Sequence, residues 1–271
     1  MATINRDIIH RFLDEVGDTT FFGKGDESLI GKDGVSLTFG MGVVRIDRPL
    51  DRVRMEIAKM HCEIAEDRFF NVIPSVQKRI EKGGFFFHAC KDVPEIRAIF
   101  FKYLDTLPCE ADVVIARKDA DIFQKRHNKR QDAFYGEVLA HTIKRLLKKK
   151  EKVVLNIADR GSSTRTAILE SSLKRATEMA VKKWGEENVN NRTVFNVQNP
   201  RQDPLLCVAD YICWAVQRVF ELGDLRFYDY LRETKIRTVI DLYDREKWQD
   251  FKNYYDGKRN PLTAANRIQR P

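Results

Sequence analysis

This sequence has no apolar run near the roughly 18–20 residues that a helix needs to cross a bilayer, so no membrane-spanning helix is expected. Met1–Asp14 shows no charged-then-apolar leader, and secretory export is not expected either. Cysteine is scarce: there are 5, an odd number with no C-x-x-C pair, which predicts reduced thiols in the cytoplasm rather than a disulfide framework. The nearest two, Cys207 and Cys213, lie six apart and point to different faces of a helix, a poor arrangement for a metal pair. No internal repeat and no low-complexity linker divides the chain, so one domain over residues 1–271 is the expectation. What is present is ordinary for a globular protein, with 43% hydrophobic and 32% charged residues. The net charge of +8 is partly concentrated in KRHNKR at Lys125–Arg130 and in RLLKKKEK within Lys144–Lys152. Both patches suit a polyanion such as nucleic acid, and both are also what a solvated helix end and loop look like.

The most informative stretch is Pro204–Val216, PLLCVADYICWAV, which reads as a buried helix holding one carboxylate, Asp210. An unpaired buried carboxylate must be protonated, paired or bound to a cation. Two other strongly apolar segments end in the same residue type: Ile8–Asp14 (IIHRFLD) and Val153–Asp159 (VVLNIAD). A fold that gathers Asp14, Asp159 and Asp210 makes a cluster that cannot stay fully ionised without a metal.

In chain order, Ile8–Leu13 reads as a strand deep in a sheet, apolar on both faces. Ser36–Ile46 returns antiparallel to it. Pro49 opens a helix over Leu50–Arg68, Gly84–His88 reads as a short strand, Val93–Leu107 as a helix and Asp112–Arg117 as a strand. Helix then alternates with strand: a helix at Asp132–Lys150, a strand at Val153–Ala158, a helix capped by Ser163 and running to Trp184, a strand at Arg192–Gln198 and the buried helix from Pro204. The tail adds a helix, a short strand at Arg237–Leu242 and an aromatic segment; residues 236–271 read as a C-terminal extension. The predicted class is therefore α/β, an RNase H-like mixed sheet flanked by helices, with an insertion (residues 48–106) after the second strand. Right-handed crossovers set Val153–Ala158 beside Ile8–Leu13, which brings Asp14 and Asp159 to the same carboxyl-end rim.

The motifs FLDEVGDT (Phe12–Thr19), FHACKD (Phe87–Asp92), NIADR (Asn156–Arg160) and LLCVADYICWAVQR (Leu205–Arg218), with the tail from Gly223 through Thr263, resemble the domain-of-unknown-function 3800 family of the RNase H-like group. The resemblance spans nearly the whole chain. It implies a metal-dependent nuclease with an Asp-Glu pair on the first strand, here Asp14-Glu15, and a Gln-x-x-Asp motif on the late helix. Asp210 matches the second motif, but Cys207 stands at its glutamine position, so whatever the amide contributes is absent here.

Phosphodiester hydrolysis needs an activated water, neutralised phosphate charge and a stabilised leaving oxygen, which two divalent ions can supply together. Mg²⁺ or Mn²⁺ is the expected cofactor, two ions held by Asp14, Asp159 and Asp210, with Asp14 bridging. Glu137, early on its helix with His141 one turn later, is a fourth candidate acid; an ordinary solvated residue reads the same way. Glu15 points away from Asp14 by strand alternation but sits near enough to the strand end to reach the site. His88 is a candidate general base or supporting contact. Asp18 reads as a turn residue, and Asp203 before Pro204 as a helix cap. Arg160-Gly161-Ser162-Ser163-Thr164, between a strand and a helix, could hold a phosphate. Two other readings stay open: a non-catalytic module binding nucleic acid or another partner, and a metal-dependent phosphoesterase acting on a small nucleotide.

Overall fold

The first strand is organised by its two neighbours. In a computed structural model describing residues 8–32, 34–148, 152–159, 166–189, 192–199, 201–244 and 253–270, β1 (Ile8–Gly17) pairs antiparallel with β2 (Thr38–Ile46) and parallel with β4 (Lys152–Ala158). The parallel ladder ends at Leu13 opposite Ile157, while the antiparallel ladder continues through Asp14 opposite Gly42 to Gly17 opposite Phe39. Strand β1 therefore runs four residues beyond the expected Leu13, because β2 supplies hydrogen-bond partners after β4 has stopped. It ends at Gly17, whose φ of +78° suits glycine, and a Cβ there would lie 2.3 Å from the Thr38 carbonyl.

Strand β3 (Cys109–Arg117) pairs antiparallel with β2, and β5 (Thr193–Gln198) parallel with β4. The tail adds β6 (Ile236–Leu242), parallel to β3, and the two-residue β7 (Tyr254–Tyr255). Among the described residues these form one mixed sheet in the order β5-β4-β1-β2-β3-β6-β7, consistent with an RNase H-like α/β fold. Residues 236–242 thus belong to the sheet itself.

Helices cover both faces. Between β2 and β3 come α1 (Leu50–Glu66), α2 (Pro74–Glu81) and α3 (Pro94–Thr106), which share one core with α7 (Leu206–Leu222) and α8 (Arg226–Leu231). The opposite core belongs to α4 (Ala120–His127), α5 (Gln131–Ile143) and α6 (Thr166–Trp184). Alternation along β1 follows this division: Phe12 and Val16 face the α7 layer, and Leu13 faces α5 and α6. Helix α7 is buried all round from Leu206 to Val216, as its composition predicts.

Two expected elements differ. Gly84–His88 forms no strand, although Phe85 and Phe87 are buried and Phe86 between them is less so. Among the described residues no strand lies beside it: the Phe86 carbonyl accepts from the Arg79 guanidinium at 2.8 Å, and the Phe87 N–H donates to His61 Nε2 at 3.3 Å. Period-two burial is satisfied by core packing while side chains replace the ladder. Helix α5 stops at Ile143 rather than Lys150, giving way to a 3₁₀ turn over Lys144–Lys148.

Candidate active site

At the carboxyl end of β1 and β4 a cleft of about 750 Å³ opens between the rim and α7. Five residues singled out from the sequence line it: Asp14, Glu15, His88, Asp159 and Asp210. They come from β1, from the loop after α2, from the residue following β4 and from α7. The parallel pairing explains why Asp14 and Asp159 share the rim, since Asp14 follows Leu13, the last β1 residue paired with β4, and Asp159 lies two residues beyond Ile157, the partner of Leu13.

Helix α7 contributes a stripe. Cys207, Asp210, Trp214, Gln217 and Glu221 all border the cleft, at spacings that repeat one helical face. The lower end of the stripe is tied to the sheet: Glu221 accepts from the Thr38 N–H at 2.8 Å and from its hydroxyl at 2.6 Å, and Gln217 donates to the same hydroxyl at 3.2 Å. Close approach of α7 to β2 requires Gly42, where a Cβ would stand 2.3 Å from the Cys213 sulfur. Gln217 and Glu221 were absent from the sequence-based site, although their positions seven and eleven residues after Asp210 carry the signal.

Asp210 is 9% exposed, and its carboxylate accepts from the Ala89 N–H at 2.7 Å. Burial pushes its pKa up to about 7, the Ala89 N–H opposes the rise, and the Asp92 charge adds to it. Asp92 is itself 2% exposed and held on several sides. It accepts from the His88 N–H at 2.8 Å and the Tyr211 hydroxyl at 2.5 Å, and lies 2.6 Å from an Arg79 nitrogen. Arg79 also donates to the Ser75 carbonyl at 3.0 Å, so α2 braces the loop that presents His88. This Arg79–Asp92–Tyr211 support was not foreseen, because its members are separated in sequence and Arg79 lies in none of the motifs.

The His88 Nδ1 stands 3.6 Å from the Asp210 carboxylate, too far for a hydrogen bond, and is buried without a hydrogen-bond partner. Burial, then the charges of Lys91 and Arg79, lower its pKa to about 4, so the imidazole is neutral at physiological pH. Asp14 and Glu15 diverge as strand alternation requires. Glu15 accepts from the Tyr135 hydroxyl of α5 at 2.5 Å, whereas the Asp14 carbonyl faces the Cys213 thiol of α7 at 3.7 Å. The Asp14 carboxylate accepts from the Glu15 N–H at 2.8 Å. Cys207 donates to the Pro204 carbonyl at 2.8 Å, and burial raises its pKa well above the usual thiol value, so it borders the cleft as a neutral thiol.

Glu137 does not join this site. It is fully buried on α5, with His127 Nε2 at 3.0 Å, Arg175 at 3.0 Å and Arg126 also bonded to it. His141 Nε2 is 3.8 Å away. Although burial alone would raise its pKa, these partners hold it far below the carboxylate range. Glu137 was a candidate because RNase H-like enzymes often carry a glutamate on this helix; its partners on α4 and α6 commit it instead to joining three helices. Asp203 caps the turn before α7 by accepting from the Leu205 N–H at 3.2 Å, and also takes a two-pronged ion pair from Arg54 at 3.2 Å. Helix α7 itself begins at Leu206, two residues after the proline. Asp18 is a turn residue, accepting from the Thr20 and Ser36 N–H groups and from Lys118, each at 2.8 Å. Arg160–Thr164, including the Ser163 cap, lies outside the described residues.

The donor chemistry suits a hard cation: the acids bring oxygen ligands, the thiol is protonated, and Asp210 is a buried carboxylate whose charge is poorly compensated. Among the described residues, however, no group of three or more His, Cys, Asp or Glu side chains is placed to hold a metal ion. The carboxylates share a cleft without closing on one point. Among the described residues no helix is long and apolar enough to cross a membrane. No protein-family profile matches this chain, and no curated protein matches it either.

Proposed function

We propose that this chain is a metal-dependent nuclease that hydrolyses phosphodiester bonds of nucleic acid, with Mg²⁺ or Mn²⁺ as cofactor. The observation that carries the reading is the convergence of Asp14, Asp159, Asp210, Glu15 and His88 on one cleft. Its RNase H-like sheet order, its basic charge of +8 and the resemblance to the domain-of-unknown-function 3800 family support the same conclusion. Reduced thiols would fit a cytoplasmic enzyme; Cys62 and Cys90 are exposed free cysteines.

In this reading Asp14, Asp159 and Asp210 hold the cations. When bound, divalent ions neutralise phosphate charge and make water more acidic. The protein's own part is to present ligands and manage protons. The Ala89 N–H orients the Asp210 carboxylate, and the Arg79–Asp92–Tyr211 support fixes the loop carrying both Ala89 and His88. His88, neutral and next to Asp210, is placed to accept a proton at Nδ1. Lys91 on the same loop borders the cleft and brings positive charge toward an incoming phosphate.

The test is cleavage of labelled DNA and RNA, single- and double-stranded, with Mn²⁺ or Mg²⁺, by the wild type and by Asp14→Asn and Asp210→Asn. Both variants should lose at least a hundredfold in rate, a loss of about 2.7 kcal/mol in transition-state stabilisation or more, with unchanged circular dichroism. Retained cleavage in either variant overturns the assignment. Turnover of nucleotides but of no polymer would replace the nuclease by a phosphoesterase.

A further inference from the structure

A second concave surface lies on the α5–α6 face of the sheet, at the end away from the acidic rim. It is a groove of about 350 Å³ whose floor is Arg11 of β1, Arg45 of β2 and Arg237 of β6. Its walls are Arg145 and Lys148 from the 3₁₀ turn and Lys183 near the end of α6. Among the described residues two carboxylates, Glu110 and Asp112, line the groove against these six cations. Asp112 also lies 3.8 Å from Arg145, and Asp47, outside the groove, pairs with Arg45 at 2.9 Å. Glu110 and Asp112 already serve the floor: Arg237 is bonded to Asp112 and lies 3.1 Å from Glu110, which is in turn 3.8 Å from Arg45. Arg145 is steered by the Thr238 hydroxyl at 2.9 Å.

One aromatic side chain lines the same groove. Trp184 has the Lys148 and Lys183 ammonium groups 5.9 and 5.8 Å from its ring centre. Concentrated positive charge is felt locally, since burial and then Lys183 and Arg145 lower the pKa of Lys144. A sheet face this charged could close over an apolar core only at great cost, and here the helices leave it open.

We propose that this groove is a nucleic-acid exosite: its cations hold backbone phosphates and Trp184 stacks against a base. Charge complementarity selects the ligand, because six cations outnumber Glu110, Asp112 and Asp47 and leave the groove net positive toward a polyphosphate chain, and the indole offers the apolar platform that single strands use. Arg11 shares the Leu13 face of β1 and Asp14 the Phe12 face, so the groove and the acidic cleft are separate surfaces of the molecule. The ligand class rests on the nuclease reading; the contact itself does not depend on catalysis.

The experiment measures binding of a fluorescein-labelled single-stranded oligonucleotide of roughly 20 nucleotides by anisotropy, in EDTA, across about 50 to 200 mM salt. Asp14→Asn serves as the background so that no cleavage occurs. Adding Lys148→Ala and Lys183→Ala should weaken binding at least tenfold and reduce the slope of log K against log salt by about one to two. Trp184→Ala should weaken it about tenfold while leaving that slope in place. Unchanged affinity and slope in the lysine variant, with an unchanged melting temperature, overturn the exosite. So does tighter competition by a mononucleotide than by an unlabelled oligonucleotide. Wild-type cleavage with groove variants unaffected removes only this inference, whereas groove-dependent binding by a protein that cleaves nothing removes only the catalytic reading.

Discussion

Asp210 is a carboxylate whose ionisation the fold opposes by burial. A carboxylate with an ordinary pKa of 3.8 in the unfolded chain reaches about 7 in the native state. Between those values the native state binds more protons at Asp210 than the unfolded one, so the contribution of Asp210 to stability is greatest below about pH 4 and falls as pH rises through 7. Over that span the loss is on the order of 4 kcal/mol for the metal-free protein. Asp210→Asn, which keeps an oxygen to accept from Ala89, should therefore melt several degrees above wild type at pH 8 in EDTA and close to it at pH 4.5. Equal melting differences at the two pH values would contradict this. Asp210 was legible because it is the lone acid in an apolar run. Glu137 was not: its partners Arg126, His127 and Arg175 sit on other helices, and nothing in its own helix reveals them.

Among the elements, α7 and β2 set the cleft together, and their separation depends on one missing methyl group. The Cβ of an alanine at position 42 would lie 2.3 Å from the Cys213 sulfur, so Gly42→Ala must push α7 from the sheet or bend β2. A cost of about 1–3 kcal/mol is expected, with a drop in any metal-dependent activity because Asp210 rides on the same helix. Cys213→Ala removes the obstructing sulfur, and the double variant should unfold in urea at a higher midpoint than Gly42→Ala alone. If the double variant is less stable than the single one, the contact is not what limits the packing. In the sequence nothing marks Gly42 for this contact, since the helix that needs it lies some 170 residues further on. Gly84–His88 failed for a related reason: alternating burial marks a strand only where a neighbouring backbone exists to pair with it.

At the scale of the molecule, the β4–β1–β2 arrangement was legible because one antiparallel return and a helix–strand alternation leave few chiral alternatives. Strand β6 reads simply as a short apolar run after a helix, and its pairing with β3 is set by contacts distant in sequence. The same long-range assembly brings four acidic side chains and His88 to one rim while leaving the acids short of a coordination shell. If cations complete that rim, they bind the folded chain alone and must stabilise it. At a Mn²⁺ concentration a hundredfold above Kd the gain is about 2.7 kcal/mol, a rise of several degrees in Tm for a chain of this length. The rise should be larger at pH 8 than at pH 5.5, because protonated Asp210 competes with the ion for its oxygens, and it should vanish in Asp14→Asn. Thermal melts in Mn²⁺ against EDTA at both pH values decide the point. An equal rise in Asp14→Asn would place the ion elsewhere, and no rise in wild type would leave the clustered acids without the counter-charge that the nuclease reading requires.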